Sequence, residues 1–72
     1  HEFYFSVSLD AVRCKELYTG NYQYLKVYTD SGKSLQLPLI NFRRFVTNQG
    51  IYGRFRLRTD NNHKLTSLDK IS

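Results

Sequence analysis

Residues 51 to 59 read Ile-Tyr-Gly-Arg-Phe-Arg-Leu-Arg-Thr, and this stretch decides the fold because its apolar and polar residues alternate. Successive side chains of a β-strand point to opposite faces of a sheet. The stretch therefore predicts a strand with one face in the core and a row of charge on the other. The inward residues are Ile51, Gly53, Phe55 and Leu57, and the outward residues are Tyr52, Arg54, Arg56 and Arg58.

The flanking segments predict four more strands and two short helices. Alternation of apolar residues predicts strands over 3–9, 22–29, 33–37 and 64–71, the last with a bulge near Ser67. Helical spacing predicts a helix that ends near Tyr18, with Ser8 or Asp10 as its N-cap and Gly20 as a left-handed C-cap. It also predicts one or two helical turns within residues 39–47.

The element order is β-α-β-β-(short α)-β-β, so the chain is placed in the α+β class as a single domain over residues 1–72. Short connections favour antiparallel neighbours, which predicts a twisted, mostly antiparallel sheet of about five strands. A second arrangement curls the same strands into a small open barrel. In either arrangement, Gly53 on the inward face indicates that the helix or another stretch of backbone comes close.

Charge is distributed unevenly along the chain. The formal net charge is +5, from eleven Lys and Arg against six Asp and Glu. Residues 33–72 carry eight of the basic residues and only two acidic ones, and five arginines lie between Arg43 and Arg58 with no acid among them. Such a surplus favours a polyanionic partner, with nucleic acid first and an acidic protein surface or anionic lipid after it.

The residue types that carry catalysis are scarce. Cys14 lies among apolar residues of the predicted helix, and His63 lies in a predicted turn. No pair of carboxylates, glycine-rich phosphate loop or cluster of metal-binding residues is present. We therefore expect a non-enzymatic domain with no metal, no other cofactor and no small-molecule substrate.

A lone cysteine also predicts a reducing compartment, which we take to be the cytoplasm. No apolar run approaches the roughly 18 residues of a membrane-spanning helix, so no membrane association is expected.

Two interpretations of the arginine row remain open. On a strand, Arg54, Arg56 and Arg58 stand about 6.5 to 7 Å apart, close to the spacing of phosphates along one nucleic-acid strand. Tyr52 could stack a base beside them, and Arg43 and Arg44 could extend the patch. Alternatively, the row only keeps a half-exposed strand soluble, or pairs with carboxylates across strands.

The tyrosines of the second strand also have two interpretations. Tyr22, Tyr24 and Tyr28 share a parity with Lys26, opposite to Leu25 and Val27. They either pack under a second layer or form an exposed patch for a protein partner.

Several segments of the chain resemble a family of short bacterial proteins catalogued as a domain of unknown function. The most specific are Asn-Phe-Arg-Arg-Phe-Val-Thr at residues 41–47 and Gly-Ile-Tyr-Gly-Arg-Phe at residues 50–55. The family pattern is Arg-Pro-Phe-Val-Thr, whereas this chain has Arg44 before Phe45. Some members carry a topoisomerase II label, which implies at most contact with nucleic acid. A chain of 72 residues has no ATPase site and no catalytic tyrosine beside metal-binding acids.

The leading functional hypothesis is an accessory domain that binds nucleic acid, mainly through phosphates, on the face formed by Tyr52, Arg54, Arg56 and Arg58 with Arg43 and Arg44. The alternative is a protein-interaction or self-associating module that uses the tyrosine-bearing face and exposed strand edges.

Overall fold

A computed structural model describes all residues, His1–Ser72, as five strands, one α-helix and one 3₁₀ helix. The order of these elements confirms the order predicted from the sequence. In chain order they are β1 (Glu2–Asp10), α1 (Ala11–Thr19), β2 (Tyr24–Tyr28), β3 (Ser34–Pro38), the 3₁₀ helix η1 (Leu39–Phe45), β4 (Gly50–Thr59) and β5 (Leu65–Lys70).

The strands form two antiparallel sheets rather than one. β4 lies between β1 and β5, while β2 and β3 form a separate hairpin. The hairpin joins the larger sheet where β2 ends, through a bridge between Phe5 and Thr29 and a 2.8 Å hydrogen bond from the Asp30 amide to the Tyr4 carbonyl. The expectation of a single five-stranded sheet is corrected, and the strands do not close into a barrel.

The division into two sheets follows from how few residues are available to cover the core. The hairpin departs from β1 after its one bridge and contributes Val27 and Leu37 to the same apolar cluster as Phe5 and Phe55. A continuous flat sheet would leave one apolar face open to water, which a chain with no second layer cannot tolerate.

Three phenylalanines form the centre of the core. Phe5, Phe42 and Phe55 have no exposed surface, and their ring centroids lie 5.7 to 6.4 Å apart. They come from β1, η1 and β4, so the short η1 segment fixes its position by inserting Phe42 between the strands. Burying three such rings in contact is the main apolar contribution that so small a chain can make.

The inward face of β4 is as the alternation predicts. Ile51, Phe55 and Leu57 are buried, and the register with β1 places Phe5 opposite Phe55 and Leu9 opposite Ile51. At Gly53 the close neighbour is the C-terminal backbone, because a Cβ there would lie 2.7 Å from the Ser72 carbonyl oxygen.

The ends of α1 agree with the prediction at one end only. Asp10 is the N-cap, and its side chain accepts a 2.8 Å hydrogen bond from the Arg13 amide. Gly20 is not left-handed, since its φ is −78°. A Cβ at Gly20 would instead lie 2.9 Å from the Glu16 carbonyl, so glycine is favoured there by close approach.

The segments after the hairpin agree with the predicted positions, with one change of helix type. The helical turns expected within residues 39–47 form a 3₁₀ helix. The bulge expected near Ser67 is present, because Arg58 pairs with Ser67 while Thr59 pairs with Leu65. Thr66 is the extra residue, and its hydroxyl donates to the Arg58 carbonyl.

Candidate binding surfaces

The arginine row lies on the outward face of the three-stranded sheet, as the alternation predicts. Antiparallel pairing with β1 places Ser8 opposite Tyr52, Ser6 opposite Arg54, Tyr4 opposite Arg56 and Glu2 opposite Arg58. The side chains of the three arginines are 31 to 48% exposed. The structure therefore brings the four predicted β4 residues together on one accessible surface.

Each arginine of the row has a carboxylate beside it. Arg54 makes a bidentate contact with Asp30, with N–O distances of 2.5 and 3.0 Å, and also donates to Ser6. The Arg58 Nε donates to Glu2 at 3.0 Å. The nitrogen–oxygen distance from Arg56 to Asp69 is longer, at 3.8 Å. The formal charge of this face is therefore balanced by acids that come from β1, β5 and the hairpin turn.

The pKa values of two of these carboxyls move accordingly. The hydrogen bond from Arg54 lowers the pKa of Asp30 below its ordinary value, and its positive charge adds to the effect. The pKa of Glu2 is also lowered, first by the hydrogen bond from the Tyr4 hydroxyl and then by Arg58. The charged form of Asp30 is therefore stabilised mainly by Arg54, and that of Glu2 by Tyr4 together with Arg58.

Arg43 and Arg44 lie in η1 rather than on β4, and they have different surroundings. Arg44 donates a hydrogen bond to the Leu68 carbonyl of β5, and its guanidinium lies 4.8 Å from the ring centroid of Phe45. The side chain of Arg43 has no ion-pair partner and lies beside Tyr18 of α1. The predicted patch is therefore distributed over a sheet face, a strand edge and a groove.

The tyrosine-bearing strand has an uncovered outer face. Tyr22, Tyr24 and Tyr28 are 65, 55 and 65% exposed, whereas Val27 on the opposite parity is buried. Tyr22 was predicted within this strand, but β2 begins at Tyr24 and Tyr22 lies just before it. Of the two interpretations of these tyrosines, the exposed patch is the one that the structure shows. We refer to Tyr22, Tyr24, Lys26 and Tyr28 as the tyrosine face.

The tyrosine face contains no carboxylate. Its neighbours on β3 are Ser34 opposite Tyr28, Gln36 opposite Lys26 and Pro38 opposite Tyr24. The Lys26 ammonium lies 5.5 Å from the centroid of the Tyr28 ring, within the range of a cation–π contact. In contrast to the arginine row, this surface retains its single positive charge uncompensated.

The remaining reactive groups are buried or placed singly. Cys14 is almost fully buried, and desolvation raises the pKa of its thiol. Burial also raises the pKa of Tyr18, whose hydroxyl donates a 2.7 Å hydrogen bond to the Leu39 carbonyl. No group of three or more His, Cys, Asp and Glu side chains is placed to hold a metal ion.

Both surfaces lie within the region that one known family covers. The family described as "Protein of unknown function (DUF2835)" matches residues 1–71. The chain belongs to this family. The match confirms the resemblance seen in the sequence, and it carries no topoisomerase function.

No curated protein and no solved structure matches the chain. The function of this DUF2835 member must therefore be argued from its own surfaces. No helix in it is long and apolar enough to cross a bilayer.

The alternative that the arginine row pairs with carboxylates across strands agrees with these ion pairs, but sequence reasoning did not identify which acids they are. Asp30 was assigned only to a turn, yet it also reaches across to Arg54 on the other sheet. Asp69 lies directly opposite Arg56 once β5 pairs with β4. Correct alignment of β5 on β4 would have predicted the contact between Arg56 and Asp69. The contact between Arg54 and Asp30 depends on how the hairpin packs against the larger sheet.

Proposed function

We propose that this DUF2835 domain is a non-enzymatic binding module that contacts a protein partner through its tyrosine face. The observation that carries this proposal is the exposure of Tyr22, Tyr24 and Tyr28, each more than half accessible, with Tyr24 and Tyr28 on the outer face of β2 and Tyr22 just before it. Contiguous exposed aromatic surface on a small domain is typical of an interaction site. Tyrosine is also enriched in interfaces, because it offers a large apolar ring and a polar hydroxyl together.

Two further features support a binding role rather than a catalytic one. The side chain with the greatest nucleophilic potential, Cys14, is buried, and its raised pKa keeps it in the poorly reactive thiol form. Tyr24 and Tyr28 lie on a regular antiparallel strand pair, so their backbone is already ordered before a partner binds.

The test is photo-crosslinking in an extract of the organism that makes the protein, with a photoreactive group at Gln36, which lies on β3 opposite Lys26 and beside the tyrosine face. We expect a discrete crosslinked partner that is lost when Tyr24 and Tyr28 are both changed to Ala. The matched control is Tyr52→Ala, which removes a tyrosine that is 45% exposed on the other sheet. Retention of the crosslink in Y24A/Y28A, or equal loss in Y52A, would refute the proposal.

Binding of nucleic acid to the arginine row is the second candidate function. It is favoured by the regular outward placement of Arg54, Arg56 and Arg58 and by the net charge of +5. Exposed ion pairs contribute only about 0–1 kcal/mol each, so phosphates could replace Asp30, Glu2 and Asp69 at small cost. Tyr52 would stack on a base, with Arg43 and Arg44 as further phosphate contacts.

Removing the acids tests this candidate more directly than removing the arginines. We expect the triple change Glu2→Gln, Asp30→Asn and Asp69→Asn to strengthen binding of a single-stranded oligonucleotide, measured by fluorescence anisotropy at low salt. Affinity should fall steeply as salt is added, because binding to phosphates releases counterions. Equal affinity for the triple variant and the unchanged protein would count against the arginine row as the interface.

A further inference from the structure

A groove runs between α1 and η1 and ends at the tyrosine face. It consists of two adjoining open hollows of about 380 and 300 Å³, which share Tyr18 and Arg43 as lining residues. Tyr22, Tyr24, Pro38 and Ile40 line the end beside the hairpin, and Ala11, Lys15, Val46 and Thr47 line the other end. Because the two hollows are open, mostly apolar and adjoin each other, the groove suits an extended chain better than a compact ligand.

The charge along this groove has one sign. Arg43 and Lys15 both line it, and no Asp or Glu does. Neither cation forms an ion pair within the domain. Arg43 therefore differs from every arginine of β4, because its guanidinium is free to meet a carboxylate from another molecule.

The walls of the groove are held in place before any partner arrives. The hydrogen bond from the Tyr18 hydroxyl to the Leu39 carbonyl ties α1 to the start of η1. Phe42, the neighbour of Arg43, is fully buried in the core. These two contacts keep the positions of Tyr18 and Arg43 nearly independent of occupancy, so little binding energy is lost in forming the site.

We propose that the groove between α1 and η1 is the docking site for an extended acidic segment of a partner protein. An apolar or aromatic side chain of the segment would rest among Tyr18, Tyr22 and Ile40, and its carboxylates would meet Arg43 and Lys15. This inference rests on the proposed protein-binding function and identifies the chemistry of the partner. It is charge complementarity on an apolar floor that selects this occupant.

The same observations disfavour two other occupants. Two cations neutralise too few phosphates to hold a nucleic-acid strand firmly. The apolar floor of the groove has no row of positive charges to follow a phosphate backbone. A second copy of this chain would bring another net charge of +5 to a basic groove. An acidic segment gains from both the charge and the apolar surface.

The test is a titration of the ¹⁵N-labelled domain, followed by the chemical shifts of its amides. The probe is a synthetic peptide in which Asp and Glu alternate with Leu, Phe and Pro, and the comparison peptide has Lys at every acidic position. We expect saturable shifts at Tyr18, Tyr22, Tyr24 and Arg43 with the acidic peptide only. Arg43→Glu should weaken binding by about tenfold or more, the effect of losing one charge-assisted hydrogen bond.

Arg13→Glu is the matched control, because Arg13 is an exposed arginine of α1 that does not line the groove, and its change alters the net charge equally. Equal weakening by R13E and R43E would show that only net charge matters and would overturn the inference. Equal binding of both peptides would also overturn it, and so would displacement of the acidic peptide by a lower concentration of a single-stranded oligonucleotide. Chemical-shift changes in the groove that depend on protein concentration, without peptide, would point to self-association and would overturn it as well.

Failure of this inference is distinguishable from failure of the proposed function through Tyr28, which belongs to the tyrosine face but not to the groove. If the acidic peptide does not bind but Tyr28→Ala alone abolishes the crosslink at Gln36, the groove proposal is wrong and the protein-binding function stands.

Discussion

At the scale of single residues, the arginines of this domain are distinguished by their partners rather than by their number. Arg54 is held by Asp30 in a two-point contact, whereas Arg43 forms no ion pair. A guanidinium that already has a bidentate partner must give up that contact to bind a ligand. A free guanidinium has no such contact to lose, which makes Arg43 the more available anion-binding residue.

The pairing of Asp30 predicts a dependence of stability on pH. The folded state lowers the pKa of Asp30 below its ordinary value of 3.8, so the contact stabilises the fold above that pH. This stabilisation is lost as the pH falls through the lower, folded-state pKa. We expect the free energy of unfolding, measured in urea from pH 7 to pH 2, to decline in acid less steeply in Asp30→Asn than in the unchanged protein.

Asp10→Asn serves as the comparison for that series, because Asp10 caps α1 and forms no salt bridge. If the free energy of unfolding of D30N fell as steeply with decreasing pH as that of the unchanged protein, the contact between Arg54 and Asp30 would not persist in solution. Glu2 has a lowered pKa of the same sign, so part of the acid dependence should remain in D30N.

At the scale of elements, η1 is a short 3₁₀ segment that holds its place through one side chain. Phe42 is completely buried against Phe5 and Phe55, while its neighbour Ile40 is 72% exposed. Short 3₁₀ helices have poor hydrogen-bond geometry and depend on packing. The groove wall that carries Arg43 therefore depends on Phe42.

Phe42→Ala should lower the free energy of unfolding by about 3–5 kcal/mol, the usual cost of emptying a buried aromatic site. Ile40→Ala should change it by less than about 0.5 kcal/mol, because that side chain is mostly in solvent. Urea denaturation measures both variants, and Phe42→Leu provides a milder change if F42A does not fold. Equal effects of F42A and I40A would show that η1 is not anchored through Phe42.

An arginine from the same 3₁₀ segment covers part of the free edge of β5. Arg44 donates to the outward-facing carbonyl of Leu68 and lies over the Phe45 ring. An uncovered strand edge invites pairing with another chain, and a charged side chain laid along it opposes that pairing.

Removal of the Arg44 side chain should promote self-association through the free edge of β5. We expect Arg44→Ala to sediment with an average mass that rises with protein concentration, whereas the unchanged domain and Lys64→Ala remain monomeric over the same range. Lys64 is an exposed cation just before β5, so its loss controls for the change in net charge. A monomeric R44A at all concentrations would show that Arg44 does not protect the edge.

At the scale of the whole molecule, the two sheets differ in how firmly they are held. β4 pairs with β1 along nearly its whole length and with β5 over its second half, while the hairpin of β2 and β3 joins β1 only near Phe5 and Thr29. The hairpin carries the tyrosine face and forms part of the groove. Its stability therefore bears on both proposed binding surfaces.

Native-state hydrogen exchange should separate the two sheets. Amides of Leu25 and Val27 in the hairpin should exchange through a partial opening of lower free energy than amides of Phe55 and Leu57 in β4. The expected signature is a smaller denaturant dependence for the hairpin amides. Identical exchange free energies and denaturant dependences in the two sheets would mean that the domain opens only as one unit.

The sequence by itself determined the order and approximate bounds of the elements and the buried faces of β1, β2 and β4, although Tyr22, predicted within the second strand, lies before β2. The alternation in β1 and β4 is strict, the DUF2835 pattern covers residues 1–71, and the bulge in β5 follows from spacing that breaks period two. These features are readable because side-chain direction on a strand is a local property of the backbone. The helix type of η1 and the φ of Gly20 were missed, because neighbouring contacts rather than propensity decide them.

Only the tertiary structure decided what the charged and aromatic residues face. The arginine row is as regular as residues 51 to 59 indicate, but Asp30 meets Arg54 from 24 positions away, and Glu2 meets Arg58 from 56 positions away. The groove between α1 and η1 likewise joins Lys15, Tyr18 and Arg43, which share no local pattern. The physical reason is that charge compensation and groove shape depend on distances in space, which the folding of the hairpin over the core sets.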